Sequence, residues 1–391
     1  MSTTIAAIIA TLIITGMSSA VSHDITVIGG SAASLIFGCV GLVSRNASIH
    51  LPFFFGAFAM SVIALISSEA NTALFPSTIH VLSCYVAIAG LAVSSPDLSK
   101  FCQQVLMATN LLLTFWILRQ GFGGGQSLKA WQITNPAGVS NLMACEINMT
   151  LPFILNRAHE ARGTGRILYV ILICLNCVAV VFVMSRNGIG AMLIILSIYA
   201  FFNHKRLAIV AVSGIMGTSL SFDNIMRIPL VYQILVKLRL VGFTPVAPRS
   251  LIWQVAWQHI VRQPMLGVGP GEQKKALAVI DIYHAHNNFV QVALETGLPS
   301  AAIFAFLTLL LLWLPLSTVW RTREYFLPTL PILAYFSYSW TGGPLTLPGS
   351  TLLLAICVNE ARVAIRSQNL AAQASHLPQR LRSLQNVPRA A

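Results

Sequence analysis

The polar stretch from Asp281 to Ser300 holds the residue types best suited to chemistry in this 391-residue chain. It contains two histidines, His284 and His286, followed directly by Asn287 and Asn288. Histidine titrates near neutral pH, which suits a general base. Asparagine is also a favoured residue at the start of a helix, where it caps free backbone amides. The residues alone therefore allow a histidine base, a capped helix start, or both.

The same stretch is poorly suited to a metal ion. His284 and His286 are two positions apart, so they would not share a face of a helix. The usual helical zinc spacing is i, i+4, and no Cys, Asp or Glu completes a close ligand set. We predict no metal and no cofactor. Glu295 is predicted to orient or cap neighbouring groups, and it stays a secondary candidate beside His284 and Asn287.

Two arginines outside the stretch are further candidates. Arg186 follows Ser185 at the end of an apolar segment, where a structural arginine would snorkel to the membrane interface. Arg249 lies between Pro248 and a predicted helix beginning near Ser250, which is a candidate N-cap. Arginines beside a helix start suit a diphosphate, although a solvated loop charge is the simpler interpretation of Arg249.

The rest of the chain must position these residues, and its composition is that of a membrane protein. Hydrophobic residues make up 56% of the chain and charged residues only 9%. Soluble domains carry about 25% charged residues. The net charge of +13 arises mainly from short basic loops. Such loops are what the positive-inside rule requires, so no nucleic-acid partner is predicted.

The hydropathy pattern predicts an all-α, polytopic membrane protein with about 12 transmembrane helices and a helical external loop domain. The basic short loops place both termini in the cytoplasm. The predicted spans are 4–20, 25–43, 49–67, 75–94, 101–119, 137–155, 167–184, 188–202, 207–220, 298–320, 326–340 and 344–363.

Four regions follow from these spans. Residues 1–220 form a transmembrane bundle of about nine helices, and residues 221–297 form the external helical loop that carries the candidate site. Residues 298–363 form the C-terminal transmembrane helices. Residues 364–391 form a basic cytoplasmic tail without apolar periodicity. Helices within the external loop are predicted over 225–240, 250–262, 272–280 and 287–297.

Several further features have ordinary structural explanations. Cys174 and Cys177 form a CxxC inside an apolar run, where cysteines usually act as small buried apolar side chains. The glycine-rich run 267–271 lacks the Lys-Ser/Thr of a phosphate-binding loop and is predicted to be a turn. Glu146 lies within a predicted span, where it either lines a cavity or pairs inside the bundle. Four asparagines share such positions: Asn110, Asn141, Asn148 and Asn176.

Taken together, the second half of the chain resembles the O-antigen ligase superfamily, which also contains O-antigen and exopolysaccharide polymerases and protein O-oligosaccharyltransferases. The resemblance covers about residues 180 to 310. It is carried by Ser185-Arg186, Arg249 ahead of Trp253-Gln-Val-Ala-Trp257, Pro264-Met-Leu-Gly-Val-Gly269, His284-Ala-His-Asn-Asn and Glu295-Thr-Gly297.

The resemblance implies a glycosyltransferase whose donor is a glycan on undecaprenyl diphosphate and whose acceptor, for a ligase, is a sugar hydroxyl of lipid A–core. It implies transfer at the periplasmic face of the bacterial inner membrane, without metal or nucleotide. By position, the family's essential residues fall on Arg186, Arg249 and His286, the two arginines binding the donor diphosphate. Direct attack by the acceptor would invert the anomeric centre.

Three alternatives stay open at this point. A polymerase would use the same donor to extend a repeat-unit polysaccharide. A protein O-glycosyltransferase is less favoured, because no large additional C-terminal domain is visible. A transporter or flippase would bind the same diphosphate without breaking a bond, but we find no inverted repeat or paired broken helices. No Asp-x-Asp motif of a metal-dependent glycosyltransferase is present.

Overall fold

The computed structural model describes residues 23–123, 140–183, 185–203, 249–280, 282, 285–322, 329–339 and 348–385. The elements are α1 (His23–Val43), β1 (Ser48–Ile49), α2 (Leu51–Ala70), α3 (Phe75–Ala89), a 3-10 turn (Gly90–Ala92), β2 (Val93–Ser94), α4 (Pro96–Gly123), α5 (Ser140–Glu160), α6 (Gly163–Phe182), α7 (Arg186–Asn203), α8 (Arg249–Arg262), α9 (Gln273–Ala276), a second 3-10 turn (Ala278–Ile280), α10 (Asn288–Thr322), α11 (Leu330–Ser339) and α12 (Pro348–Gln385). The described chain is almost entirely helical, which confirms the all-α class.

Five of these helices are long and apolar enough to cross a bilayer. They are α2, α3 with its following turn, most of α4, α6, and the first part of α10, Asn288–Trp313. A polytopic membrane protein is thereby confirmed. The predicted spans 4–20 and 207–220 lie outside the described residues, as does the helix predicted over 225–240. The total of about 12 spans stays a prediction.

Two helices form the centre of the bundle. Every residue from 143 to 155 in α5, and from 350 to 361 in α12, is buried. A helix that is buried on all sides cannot place its polar side chains in solvent, so each needs a partner inside the protein. Asn359 of α12 is one example. Its side-chain oxygen accepts a hydrogen bond from the backbone N–H of Ser95 at 2.6 Å, and its side-chain nitrogen donates to the Ser95 carbonyl at 3.3 Å.

The buried asparagines of the other helices also connect neighbouring helices. Asn110 of α4 donates to Thr150 of α5, and Asn176 of α6 accepts from Thr114 of α4 at 3.0 Å. Asn141 has no described side chain. Glu146 is buried in α5. Whether it lines a cavity or pairs inside the bundle stays open.

Only 17% of the residues in the apolar stretch of helix α6 are buried, so this helix lies at the edge of the bundle. This exposure corrects the expectation for the CxxC pair: Cys174 is exposed and Cys177 is only partly buried. Both cysteines are free thiols. An exposed apolar face on a spanning helix is consistent with contact to lipid.

The two ends of the bundle are built differently. At one end, before α2 begins, β1 pairs antiparallel with β2, and Arg362 of α12 donates to the Leu91 carbonyl at 3.0 Å. At the other end, where α2 finishes, Ser67 and Asn71 meet the loop that follows α8. Helix α2 has 20 residues. A helix of that size is about 30 Å long, so it extends from one end of the bundle to the other.

Two predicted boundaries differ from the structure. Helix α8 begins at Arg249 rather than after it, so Ser250 lies inside the helix and is not its N-cap. Helix α12 continues through the predicted boundary at 363 to Gln385. Alanine, glutamine, leucine and arginine in this polar region all favour helix, so the helix needs no apolar periodicity to continue.

A sharp kink divides α10 at Gly297, whose φ is 84° and ψ 171°. This backbone conformation is essentially confined to glycine. A β-carbon at Gly297 would also lie 2.3 Å from the Met265 carbonyl oxygen. The kink therefore depends on glycine for both its dihedral angles and its close packing.

We expect Gly297→Ala to destabilise the protein by at least about 1–3 kcal/mol, the cost of the dihedral strain alone. The matched control is Gly190→Ala, because a β-carbon at Gly190 of α7 meets nothing within 4 Å. That control should change stability by less than about 1 kcal/mol, in the stabilising direction. Thermal unfolding of the detergent-solubilised variants measures both. Equal melting temperatures for the two variants would contradict the role assigned to Gly297.

Candidate active site

The loop that carries His286 is held at the residue before the histidine, whose carbonyl and amide groups both form hydrogen bonds. The Ala285 carbonyl accepts a hydrogen bond from the indole N–H of Trp253 at 3.1 Å. The Ala285 amide donates to the Gln273 side chain at 3.4 Å. Trp253 belongs to α8 and Gln273 to α9, so both of these helices hold this loop.

His286 itself has a left-handed backbone, with φ of 54°. Few residues other than glycine adopt this conformation, and such strain is concentrated at functional sites. The His286 residue is partly exposed, which leaves it accessible to substrate. His284 and Asp281 lie outside the described residues, so the preference for His286 over His284 stays a prediction.

Asn287 begins helix α10 as its N-cap. Its side-chain oxygen accepts from the backbone amides of Phe289 at 2.9 Å and Val290 at 3.2 Å. Of the two roles considered for this asparagine, the structure shows capping. The cap fixes where α10 starts and therefore fixes the turn at His286 immediately before it.

Arg249 is the first residue of α8 and is exposed. Trp253, whose indole N–H holds the His286 loop, follows one helical turn later. The positive end of the helix dipole adds to the guanidinium charge at this point. Arg249 and His286 are thus carried by two segments that are joined by the hydrogen bond from Trp253 to Ala285 and by apolar packing of α8 against Ala285.

A cavity of about 560 Å³ opens between α8 and the first turns of α10. Its lining is mainly apolar and includes Trp253, Trp257 and Phe289, with Ser250 beside Arg249. Cavities of this size, with few polar groups, are typical of ligand sites.

The glycine-rich run uses its amides within the protein. The amides of Val268 and Gly269 donate to the carbonyls of Leu294 and Glu295, at 2.8 and 3.1 Å. A β-carbon at Gly267 would lie 2.4 Å from the Leu294 carbonyl oxygen. The run is therefore a turn that packs against α10, as predicted, with these amides unavailable to phosphate.

Glu295 completes that packing. Its buried carboxyl group accepts hydrogen bonds from the Gly271 amide and from the Gln291 side chain. The carboxyl group thus joins the end of the glycine-rich run to α10. The orienting role of Glu295 at the site stays a prediction.

Sequence reasoning missed Ser67 and Asn71 in the first half of the chain. Ser67 donates to the Leu266 carbonyl, and Asn71 donates to the Gly267 carbonyl at 3.2 Å. These contacts join segments that are far apart in the chain. A serine and an asparagine near the end of an apolar helix gave no signal that would have revealed them.

Arg186 begins α7, although only its backbone is described. Ser185 accepts a hydrogen bond from the Gly188 amide at 2.9 Å and so caps this helix. Asn148 of α5 donates to the Gly188 carbonyl at 2.8 Å and to the Tyr338 hydroxyl at 2.9 Å.

The end of α11 also reaches the His286 segment. Asn288, two positions after His286, donates to the Ser339 hydroxyl at 3.0 Å. Tyr338 and Ser339 are adjacent, so the start of α7 and the start of α10 approach the same end of α11. The structure thereby brings the Arg186 and His286 segments into one region, with α8 and Arg249 attached through Trp253.

Among the described residues, no group of three or more His, Cys, Asp or Glu side chains is placed to hold a metal ion. The described arrangement consists of the Arg249 side chain, a histidine and an adjoining cavity, with the backbone of Arg186 nearby. Such a site can bind a strongly anionic group and accept a proton beside it.

The family model described as O-antigen ligase matches residues 169–305, about a third of the chain. These residues form an O-antigen ligase superfamily domain. The match spans α6 to the middle of α10 and contains every candidate site residue. No curated protein matches the chain.

Membership in this superfamily gives the domain a glycosyltransferase-like activity of the ligase or polymerase type. The family suggests lipid-linked glycan substrates, in keeping with the apolar helices of a membrane protein. The candidate residues can therefore be considered as groups that act in glycosyl transfer.

We expect Asn287→Asp to retain glycan transfer, because a carboxylate oxygen caps a helix as well as an amide oxygen does. Asn287→Ala should lower stability by about 1 kcal/mol through loss of the cap. Thermal unfolding and transfer assays on the same preparations measure both effects. If Asn287→Asp folds normally but transfers no glycan, the side chain has a chemical role beyond capping.

Trp253→Phe should lower the transfer rate by about tenfold, since it removes the indole N–H and leaves the buried Ala285 carbonyl without its donor. The control is Trp313→Phe, in α10 and outside the cavity lining, where the tryptophan is 62% exposed. Initial rates compared at equal protein levels give the measurement. A similar decline in both variants would indicate a general aromatic requirement rather than support of the His286 loop.

Proposed function

We propose that the protein is an inverting, metal-independent glycosyltransferase that moves O-antigen polysaccharide from undecaprenyl diphosphate to a sugar hydroxyl of lipid A–core. The observation that carries this proposal is the hydrogen bond from Trp253 to the Ala285 carbonyl. It ties the helix that begins with Arg249 to the loop that carries His286, and so supports a cation and a proton acceptor acting together.

In the proposed reaction, the acceptor hydroxyl oxygen attacks the anomeric carbon as the bond from that carbon to the diphosphate oxygen breaks. His286 takes the hydroxyl proton, an effect typically worth about 10²–10⁴-fold in rate. The released undecaprenyl diphosphate carries away the bonding electron pair. Attack from the face opposite the leaving group inverts the anomeric centre.

Arg249 and Arg186 bind the diphosphate in this scheme. Negative charge grows on the leaving group as the bond breaks, and fixed cations that meet this charge stabilise the transition state. Arginine suits the role because its planar guanidinium forms paired hydrogen bonds with phosphate oxygens. Both residues begin helices, α8 and α7, whose positive dipole ends add to the attraction.

The apolar cavity beside Arg249 supports a lipid-linked donor. Its lining from α8 and α10 offers contact to the part of the donor next to the diphosphate. We place the site at the periplasmic face of the bacterial inner membrane, with both termini cytoplasmic, following the distribution of basic loops. The external segment 221–297 is proposed as the catalytic loop of this arrangement.

Ligation is proposed over polymerisation because the matching family is described as O-antigen ligase. The products in a deletion strain distinguish the two activities. Loss of a ligase leaves long polymer on the carrier lipid, whereas loss of a polymerase leaves single repeat units on the core. A covalent product from purified protein, donor and acceptor excludes pure transport.

We expect His286→Ala and Arg249→Ala each to reduce transfer by at least about 10²-fold while the protein still inserts into the membrane. Arg262→Ala is the matched control, because Arg262 is an exposed arginine at the other end of α8. Transfer of radiolabelled glycan to lipid A–core in proteoliposomes measures the activity. Undiminished transfer by either site variant removes that residue from the mechanism.

A further inference from the structure

The last two residues of α11 contact two different parts of the candidate site. Tyr338 and Ser339 are both buried, with exposures of 1% and 0%. Neighbouring residues on an α-helix point about 100° apart, so their side chains face different partners. One side of this helix end meets α5 and α7, and the other meets α10.

The first set of contacts, which we call the Tyr338 branch, connects the end of α11 to the Arg186 segment. The Asn148 side chain donates to the Tyr338 hydroxyl at 2.9 Å and to the Gly188 carbonyl at 2.8 Å. Gly188 lies two positions after Arg186, in the first turn of α7. Asn148 therefore fixes the start of α7 relative to α11.

This branch has little room for movement. A β-carbon at Gly188 would lie 2.6 Å from the Ala144 β-carbon and 3.0 Å from the Tyr338 hydroxyl. The first turn of α7 is thus in close contact with α5 and α11. Any shift of Tyr338 would be transmitted directly to the backbone that carries Arg186.

The second set of contacts, the Ser339 branch, connects the end of α11 to the His286 segment. The Ser339 hydroxyl accepts from the Asn288 side chain at 3.0 Å and donates to the Tyr335 carbonyl at 3.1 Å. Asn288 is fully buried and lies two positions after His286. Together with the Asn287 cap, this contact sets the position of the turn at His286.

We propose that Tyr338 and Ser339 are positioning residues that set the separation between the diphosphate-binding arginine and the histidine base. Tyr338 acts through Asn148 on Arg186, and Ser339 acts through Asn288 on His286. The proposal rests on the proposed function, because it assigns the two branches to donor binding and to proton transfer. Neither residue touches substrate in this scheme.

Disturbing each branch is expected to change a different kinetic constant. Loosening the Tyr338 branch weakens donor binding, whereas loosening the Ser339 branch displaces the base from the acceptor hydroxyl during the chemical step. Small displacements at a reacting centre reduce rates strongly, even when they originate outside it. If the contacts merely stabilised the bundle, either substitution would lower stability without changing kcat or the donor KM selectively.

The test measures kcat and the donor KM in proteoliposomes containing the full-length protein, with undecaprenyl-diphosphate-linked O-antigen and lipid A–core as substrates. Tyr338→Phe should raise the donor KM by about tenfold and leave kcat within about twofold. Ser339→Ala should lower kcat by about tenfold and leave the donor KM unchanged. The double variant Asn288→Ala/Ser339→Ala should have a kcat no lower than that of the slower single variant.

Ser61→Ala is the matched control, because the Ser61 hydroxyl donates within its own helix to the Ala57 carbonyl. It should show wild-type values of both constants. The inference is overturned if Tyr338→Phe and Ser339→Ala change both constants in parallel, or change neither, while the wild-type protein transfers glycan. Absence of transfer by the wild-type protein, beside an active ligase assayed in parallel, overturns the proposed function and this inference with it.

Discussion

The docking of the glycine-rich loop on the kink of α10 is the constraint on which the candidate site depends. Backbone groups inside a membrane protein must find partners within the protein, because lipid offers none. Here the amides of Val268 and Gly269 meet the carbonyls of Leu294 and Glu295, and the Leu298 amide donates to the Pro264 carbonyl. These bonds satisfy the interrupted helix and fix the loop that follows α8.

That docking connects the segment that contains α8 and α9 to the bundle. Ser67 of α2 and Asn71, which follows that helix, reach the same loop, so the end of an early helix supports residues in the second half of the chain. From this fixed loop, α9 and the Asn287 cap define the backbone around His286. The candidate base is consequently held by the protein interior as well as by its own short loop.

How much was predictable depended on whether a feature is local. The short helix after the glycine-rich run, the turn nature of that run and the helix continuing from the histidine stretch all follow from local residue chemistry. The start of α8 was misplaced by one position, because Ser250 suggests a cap while Arg249 already has helical geometry. Asn287 left two roles open in the sequence, and its contacts with Phe289 and Val290 show the cap.

The sequence by itself determined an all-α membrane protein, the polar stretch near His286 and the resemblance to the O-antigen ligase superfamily, because composition, hydropathy and short motifs are local properties. The tertiary structure alone decided that Tyr338 and Ser339 stand between the starts of α7 and α10, and that Ser67 supports the glycine-rich loop. Serine and tyrosine are common in apolar helices and their hydrogen bonds reach distant segments, so only folding reveals their partners.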